Sequence, residues 1–148
     1  MRGSCNGLRT ALNINEKSGT RNGEMLILDT NAVIYLLNNQ LATPLAEDEY
    51  GISVITEIEL LSFQDLSEND EHLLRNFFRD ILIHPLDERV KDETIALKKS
   101  RKLKTPDAII CATALATKAT LLTNDRQLLH ITGLDARPLQ LRNADKQS

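Results

Sequence analysis

From Met25 onward, short apolar runs alternate with longer stretches in which apolar residues recur every three or four positions. "MLIL" (25–28) reads as a buried strand, and "TNAVIYLLNN" after it reads as a helix. "YGISVI" (50–55) is a second strand, leading into the helical "TEIELLSF". In "SENDEHLLRNFFRDI" the apolar Leu73, Leu74, Phe77, Phe78 and Ile81 fall at helical spacing. Its acids lie in the first turn, with Arg75 and Arg79 near the end, as the helix dipole favours. "ILIHPL" (81–86) predicts a third strand, and "DERVKDETIALKKSRK" a helix with Val90, Thr94 and Leu97 on one face. "TPDAIICATALATKA" (105–119) predicts a helix with Thr105 as N-cap and Pro106 at the first helical position. "TLLT" (120–123) is a fourth strand, followed by a short helix "DRQLLHI" and an extended "ARPLQL".

Strands that alternate with helices predict a parallel sheet covered on both faces. The expected architecture is α/β, a three-layer α/β/α sandwich, with one domain over 25–141 and no internal repeat. Residues 1–24 are polar and rich in Gly, Asn and Ser, with no apolar core of a signal peptide. They are expected to be a disordered extension, and 142–148 a polar tail.

Composition narrows the function classes. The 148 residues are 41% hydrophobic and 26% charged, ordinary values for a soluble domain. No run of apolar residues is long enough to span a bilayer, so no membrane partner is expected. Aromatics are 3%, which argues against a base-stacking surface. The net charge is −3, and the extension holds four basic and two acidic residues, so the rest of the chain carries −5. Nucleic acid can bind such a chain only through a local basic patch or bridging cations. Two cysteines, Cys5 and Cys111, make no disulfide framework, and a reducing cytoplasm is the expected compartment. His72, His84 and His130 are scattered, without zinc-ligand spacing.

The acids are more informative. Asp29 interrupts an apolar run at the end of the first strand. Glu57 and Glu59 follow the second strand, Asp107 falls at the second position of its helix, and Asp125 follows the fourth strand. In an open parallel sheet these places share one rim, where ligands bind. Taken singly, each acid has a structural reading. Asp is a common N-cap, and Thr56-x-x-Glu59 has the form of a capping box. Taken together they would repel one another unless some protonate or a cation neutralises them. Hard oxygen ligands suit Mg²⁺ or Mn²⁺, which activate water and stabilise a departing phosphodiester oxygen.

"LILDTNAVIYLL", "ISVITEIELLSF", "LKTPDAIICATAL" and "LLTND", in this order and spacing, resemble the PIN-domain ribonucleases, and most closely the toxin subunits of VapBC-type toxin–antitoxin pairs. The likeness covers residues 25–139. It implies an acidic quartet at Asp29, Glu59, Asp107 and Asp125. The metal would rest on Asp29, Asp107 and Asp125, with Asn31 and Thr123 orienting carboxylates or water. Glu57 is a competing glutamate, and motif position ranks Glu59 first. The resemblance also implies an RNA substrate, a cognate antitoxin and a homodimer.

Cys111 shares a helix face with Asp107 and Ala114, so it reads as a packed small residue and not a nucleophile. "KKSRKLK" (98–104) places Lys98, Lys99, Arg101, Lys102 and Lys104 just before Asp107. A solvated helix end and an RNA-guiding role are about evenly matched for this run. Arg126 is a second candidate phosphate contact. The alternative to an enzyme is a catalytically silent PIN fold that binds RNA or a protein. A phosphatase of the haloacid-dehalogenase type needs a second Asp two residues after the first, where this chain has Asn31.

Overall fold

The computed structural model describes residues 24–45 and 49–142. The expected extension, apart from Glu24, and the tail beyond Arg142 lie outside the described residues. Five strands are β1 (Met25–Leu28), β2 (Glu49–Ser53), β3 (Leu82–His84), β4 (Thr120–Leu122) and β5 (Ala136–Arg137). Six helices are α1 (Thr30–Leu37), α2 (Val54–Leu61), α3 (Glu68–Arg79), α4 (Glu88–Ser100), α5 (Thr105–Thr117) and α6 (Arg126–Leu129). All strand pairs are parallel, in the order β3-β2-β1-β4-β5. The predicted α/β/α sandwich is therefore the fold.

Side-chain alternation along the strands divides the core in two. Leu26, Leu28, Ile52 and Leu122 pack with α1 and α3, through Val33, Leu36, Leu74 and Phe77. Ile27 and Leu121 face the other way, onto Val90, Leu97, Ile110 and Leu128 from α4, α5 and α6. With both faces of the central strands covered, "MLIL" is apolar at every position. Helix α5 buries residues on almost every side, including Ala108, Cys111, Ala112, Ala114 and Ala116. Its small side chains allow it to lie between the sheet and α4.

Three local expectations are corrected. Helix α2 begins at Val54, two residues before Thr56, and its N-cap is Ser53, whose hydroxyl accepts from the Ile55 N–H at 3.1 Å. Thr56 is thus inside the helix, and the Thr56–Glu59 capping box does not form. Both residues are engaged elsewhere. Helix α5 begins one residue early, with Lys104 at the cap and Pro106 in second place, so Asp107 is the third helical residue. The extended piece expected over "ARPLQL" pairs as a strand over only two residues, and Leu41 then bridges Leu141 antiparallel.

The chain leaves β1 in one lateral direction toward β2 and β3, and lies on the other side of β1 at β4 and β5. The C-terminal ends of β1 and β4 thus flank a topological switch point, the usual place for a ligand crevice in an open α/β sheet. No described helix is long and apolar enough to cross a membrane.

Candidate functional site

Asp29 stands at the end of β1, with 5% of its surface exposed. It caps α1, one carboxylate oxygen accepting from the Ala32 N–H at 2.7 Å. The other oxygen accepts from the Thr123 hydroxyl, at the end of β4. Thr123 is fully buried, and its oxygen also accepts from the Asp125 N–H at 3.0 Å. Asp125 caps α6, accepting from the Gln127 N–H at 2.9 Å, and its side chain is exposed. The structural readings of Asp29 and Asp125 as helix caps are correct, and both caps sit on the rim of the switch point. A cap leaves lone pairs on each carboxylate oxygen, so the two roles are compatible.

The pKa shifts show which acids feel one another. Burial raises the Asp29 pKa above the ordinary carboxylate value; the bonds from Thr123 and Ala32 oppose this, and Asp125 and Asp107 raise it further. Asp107 is half-buried. Its pKa is raised by burial, then by Asp125 and Glu59, and lowered by Lys104. Asp29, Asp107, Asp125 and Glu59 therefore form one repelling group, although they come from β1, α5, the end of β4 and α2. Glu59 accepts from the Thr30 hydroxyl at 2.7 Å, and Thr30 lies 3.2 Å from the Thr56 hydroxyl. Among the described residues, neither Glu57 nor Asn31 enters these bonds; Glu57 is half-buried and Asn31 exposed.

Thr30 is not singled out in the sequence, and Thr56 reads there only as a helix cap. The "DTN" stretch draws attention to its Asn. The 29 positions that separate Thr30 from Glu59 leave no local signal.

Cys111 lies beneath the acids, fully buried. Burial, with Asp107, Asp125 and Asp29 adding to it, pushes its thiol up to about 12. A thiol so hard to ionise is a packing group.

The basic run divides. Lys98 and Lys99 end α4, whereas Arg101, Lys102 and Lys104 lie in the connection to α5. Lys98 Nζ donates to the Leu103 carbonyl at 3.2 Å and to Thr105 Oγ1 at 2.9 Å. Arg101 donates to Thr132 at 3.2 Å, and Gln127 Nε2 to the Lys102 carbonyl at 2.8 Å. Lys98 and Arg101 thus hold the loop that leads to Asp107, while the Lys99, Lys102 and Lys104 residues are exposed. Arg126, next to Asp125, is exposed as well.

A divalent cation fits this group by donor chemistry: the carboxylates are hard oxygen ligands, and their mutual repulsion is what such a charge relieves. Among the described residues, no three His, Cys, Asp or Glu side chains stand close enough together, as placed, to hold a metal ion.

Comparisons with known proteins bear on the fold and the family. A toxin–antitoxin complex from Klebsiella pneumoniae superposes with a TM-score of 0.62 at 27% identity, over 74% of this chain and 94% of that one. VapBC-1 from nontypeable Haemophilus influenzae gives a TM-score of 0.61 at 26% identity, over 77% and 97% of the two chains. DNA-bound VapBC from Salmonella typhimurium shares the fold, with a TM-score of 0.64 at 20% identity over 78% and 98%. No curated protein matches the chain. The PIN domain model matches residues 26–134, which span every element from β1 to α6. Matched across nearly its whole described length, the chain belongs to the PIN domain family.

Proposed function

We propose that this protein is a metal-dependent endoribonuclease, the toxin of a toxin–antitoxin pair, acting in the cytoplasm. The observation that carries the reading is the buried Thr123 hydroxyl that bonds both Asp29 and Asp125, with Asp107 near enough to raise the Asp29 pKa. Membership of the PIN family and the toxin–antitoxin complexes among its structural neighbours support it.

Asp29, Asp107 and Asp125 would hold Mg²⁺ or Mn²⁺. Such an ion supplies Lewis-acid activation of water and stabilises the departing oxygen. Asp29 is the fixed member, locked by Ala32 and Thr123. Asp107 and Asp125 approach from α5 and from the cap of α6. Glu59, which acts on Asp107, would accept the proton of the attacking water. The water oxygen bonds to phosphorus as the opposite P–O bond breaks, and the departing oxygen takes up a proton from solvent. Thr123 orients Asp29 and Asp125 together. The exposed Lys99, Lys102, Lys104 and Arg126 offer phosphate contacts, with Lys98 and Arg101 shaping the loop that presents them.

Exposed Ile58 and Phe63, on and just beyond α2, suit a protein partner, in keeping with an antitoxin and a homodimer. The domain is taken to be 25–141.

The test is cleavage of labelled single-stranded RNA by the purified chain with Mn²⁺, with Mg²⁺, and with chelator. Cleavage that needs the cation and is lost in Asp29→Asn and Asp107→Asn supports the proposal. Undiminished cleavage in either variant overturns the site. The lack of a closed ligand cage among the described residues favours a second reading, a silent PIN module. Calorimetry separates the two, because a silent module takes up no Mn²⁺.

A further inference from the structure

Glu59 occupies the sixth position of α2, a helix packed beside the cluster rather than a strand end leading into it. Its side chain is long, with several rotatable bonds, and only half-buried. Nothing in its own helix turn holds the carboxylate. What holds it comes from another element: the hydroxyl of Thr30, first residue of α1, donates to Oε1 at 2.7 Å.

Hydrogen bookkeeping gives that bond a direction. A threonine hydroxyl has one hydrogen, and an ionised carboxylate only accepts. Thr30 therefore spends its hydrogen on Glu59. The contact between Thr30 and Thr56 at 3.2 Å must then run the other way, Thr56 donating to Thr30. Thr56 is fully buried, so its hydroxyl has no solvent to turn toward. The order Thr56 to Thr30 to Glu59 is a short chain that begins in the core and ends on the rim. It joins α1 to α2, and it fixes the carboxylate on the side of Asp107, whose pKa Glu59 raises. Glu57, two residues earlier and so on another face of α2, has no such tether among the described residues.

We propose that Thr30 is a positioning residue: oriented by Thr56, it fixes the pose in which the Glu59 carboxylate joins the acidic group. This rests on the nuclease reading of those acids. Thr30 belongs to the same strand–helix junction as Asp29, so one turn of backbone sets both the fixed acid and the tether for the movable one.

The experiment uses the full chain and four variants: Thr30→Val, which keeps the shape and removes the hydroxyl, Thr30→Ser, Thr56→Val and Glu59→Gln. The first readout is the ¹³C chemical shift of the Glu59 carboxyl, without metal. It should move in Thr30→Val and Thr56→Val and return in Thr30→Ser. The second is Mn²⁺-dependent RNA cleavage, in which Thr30→Val should lower kcat by roughly 10–100-fold with KM nearly unchanged. Thr30→Ser should recover most of the loss, and the double variant Thr30→Val with Glu59→Gln should be no slower than Glu59→Gln alone. A Glu59 signal indifferent to Thr30→Val, or losses that multiply in the double variant, overturns the proposal. Absence of Mn²⁺ binding and cleavage in the unaltered chain overturns the nuclease reading instead, and the carboxyl signal still decides whether Thr30 positions Glu59.

Discussion

Thr123 donates its hydroxyl to the carboxylate of Asp29, a residue 94 positions earlier in the chain. The same oxygen accepts the Asp125 N–H, so one buried hydroxyl sets two acids against each other across the ends of β1 and β4. Replacing Thr123 by Val keeps the shape and leaves a buried carboxylate short of a partner. Stability should fall by about 1–3 kcal/mol, the usual cost of stranding a buried polar group. Cleavage should fall by roughly 10–100-fold. Thr123→Ser should stay close to the unaltered protein in both urea denaturation and kinetics.

Asp107→Asn should make the protein more stable and less active. Burial, Asp125 and Glu59 all disfavour the charged carboxylate, which only Lys104 favours among the causes that act on it. A neutral amide removes the repulsion and the means of holding a cation. A Tm higher by on the order of 2–4 °C is expected in metal-free buffer, the response of a domain of this size to one modest relief. Acid should act in the same direction. The folded pKa of Asp107 lies above 3.8, so the native state takes up its proton before the unfolded chain does. The destabilising contribution is full above the folded pKa and vanishes as pH falls through it. The gain in Tm from Asp107→Asn should therefore shrink on acidification, as scanning calorimetry at a series of pH values would record.

His84 should act in the opposite sense. It lies on β3, where its Nε2 is buried without a hydrogen-bond partner among the described residues, against Gly51 of the neighbouring strand. Burial lowers its pKa below the ordinary 6.5, with Asp87 opposing. The unfolded chain then takes the proton first. Its contribution to stability is complete above 6.5 and is lost as pH falls toward the folded pKa. His84→Val leaves no polar atom stranded and suits a strand. It should flatten the stability profile between about pH 7.5 and 5.5 without loss at the upper end, measured by urea denaturation.

Cys111 should be inert in the folded protein. With full burial and a thiol pushed up to about 12, almost no thiolate exists near neutrality. A disulfide reagent should leave Cys111 unmodified under native conditions. Cys111 should react at a rate set by global unfolding, rising with added urea. Rapid native labelling at Cys111 would contradict the packing described.

Much of this protein is written locally. The apolar run of "MLIL", the periodicity of Leu73, Leu74, Phe77 and Phe78, and the Val90–Thr94–Leu97 stripe each specify an element within a few residues. All of these residues except Met25 are buried in the fold. Period and turn chemistry are properties of neighbours in the chain, so alternation of strand and helix sufficed to predict a parallel sheet. Parallel strands in turn put Asp29 and Asp125 on one rim, because every strand ends on the same side. What tertiary structure alone decided are bonds between residues far apart. The competition at Thr56 between capping its own helix and facing Thr30 was settled by where α2 begins, and Ser53 took the cap. The Glu59 carboxylate found its partner in a hydroxyl 29 positions away, and in the basic run Lys98 and Arg101 were turned back onto the loop by the positions of Thr105 and Thr132. Such choices depend on distances that only packing sets, and spacing along the chain carries no record of them.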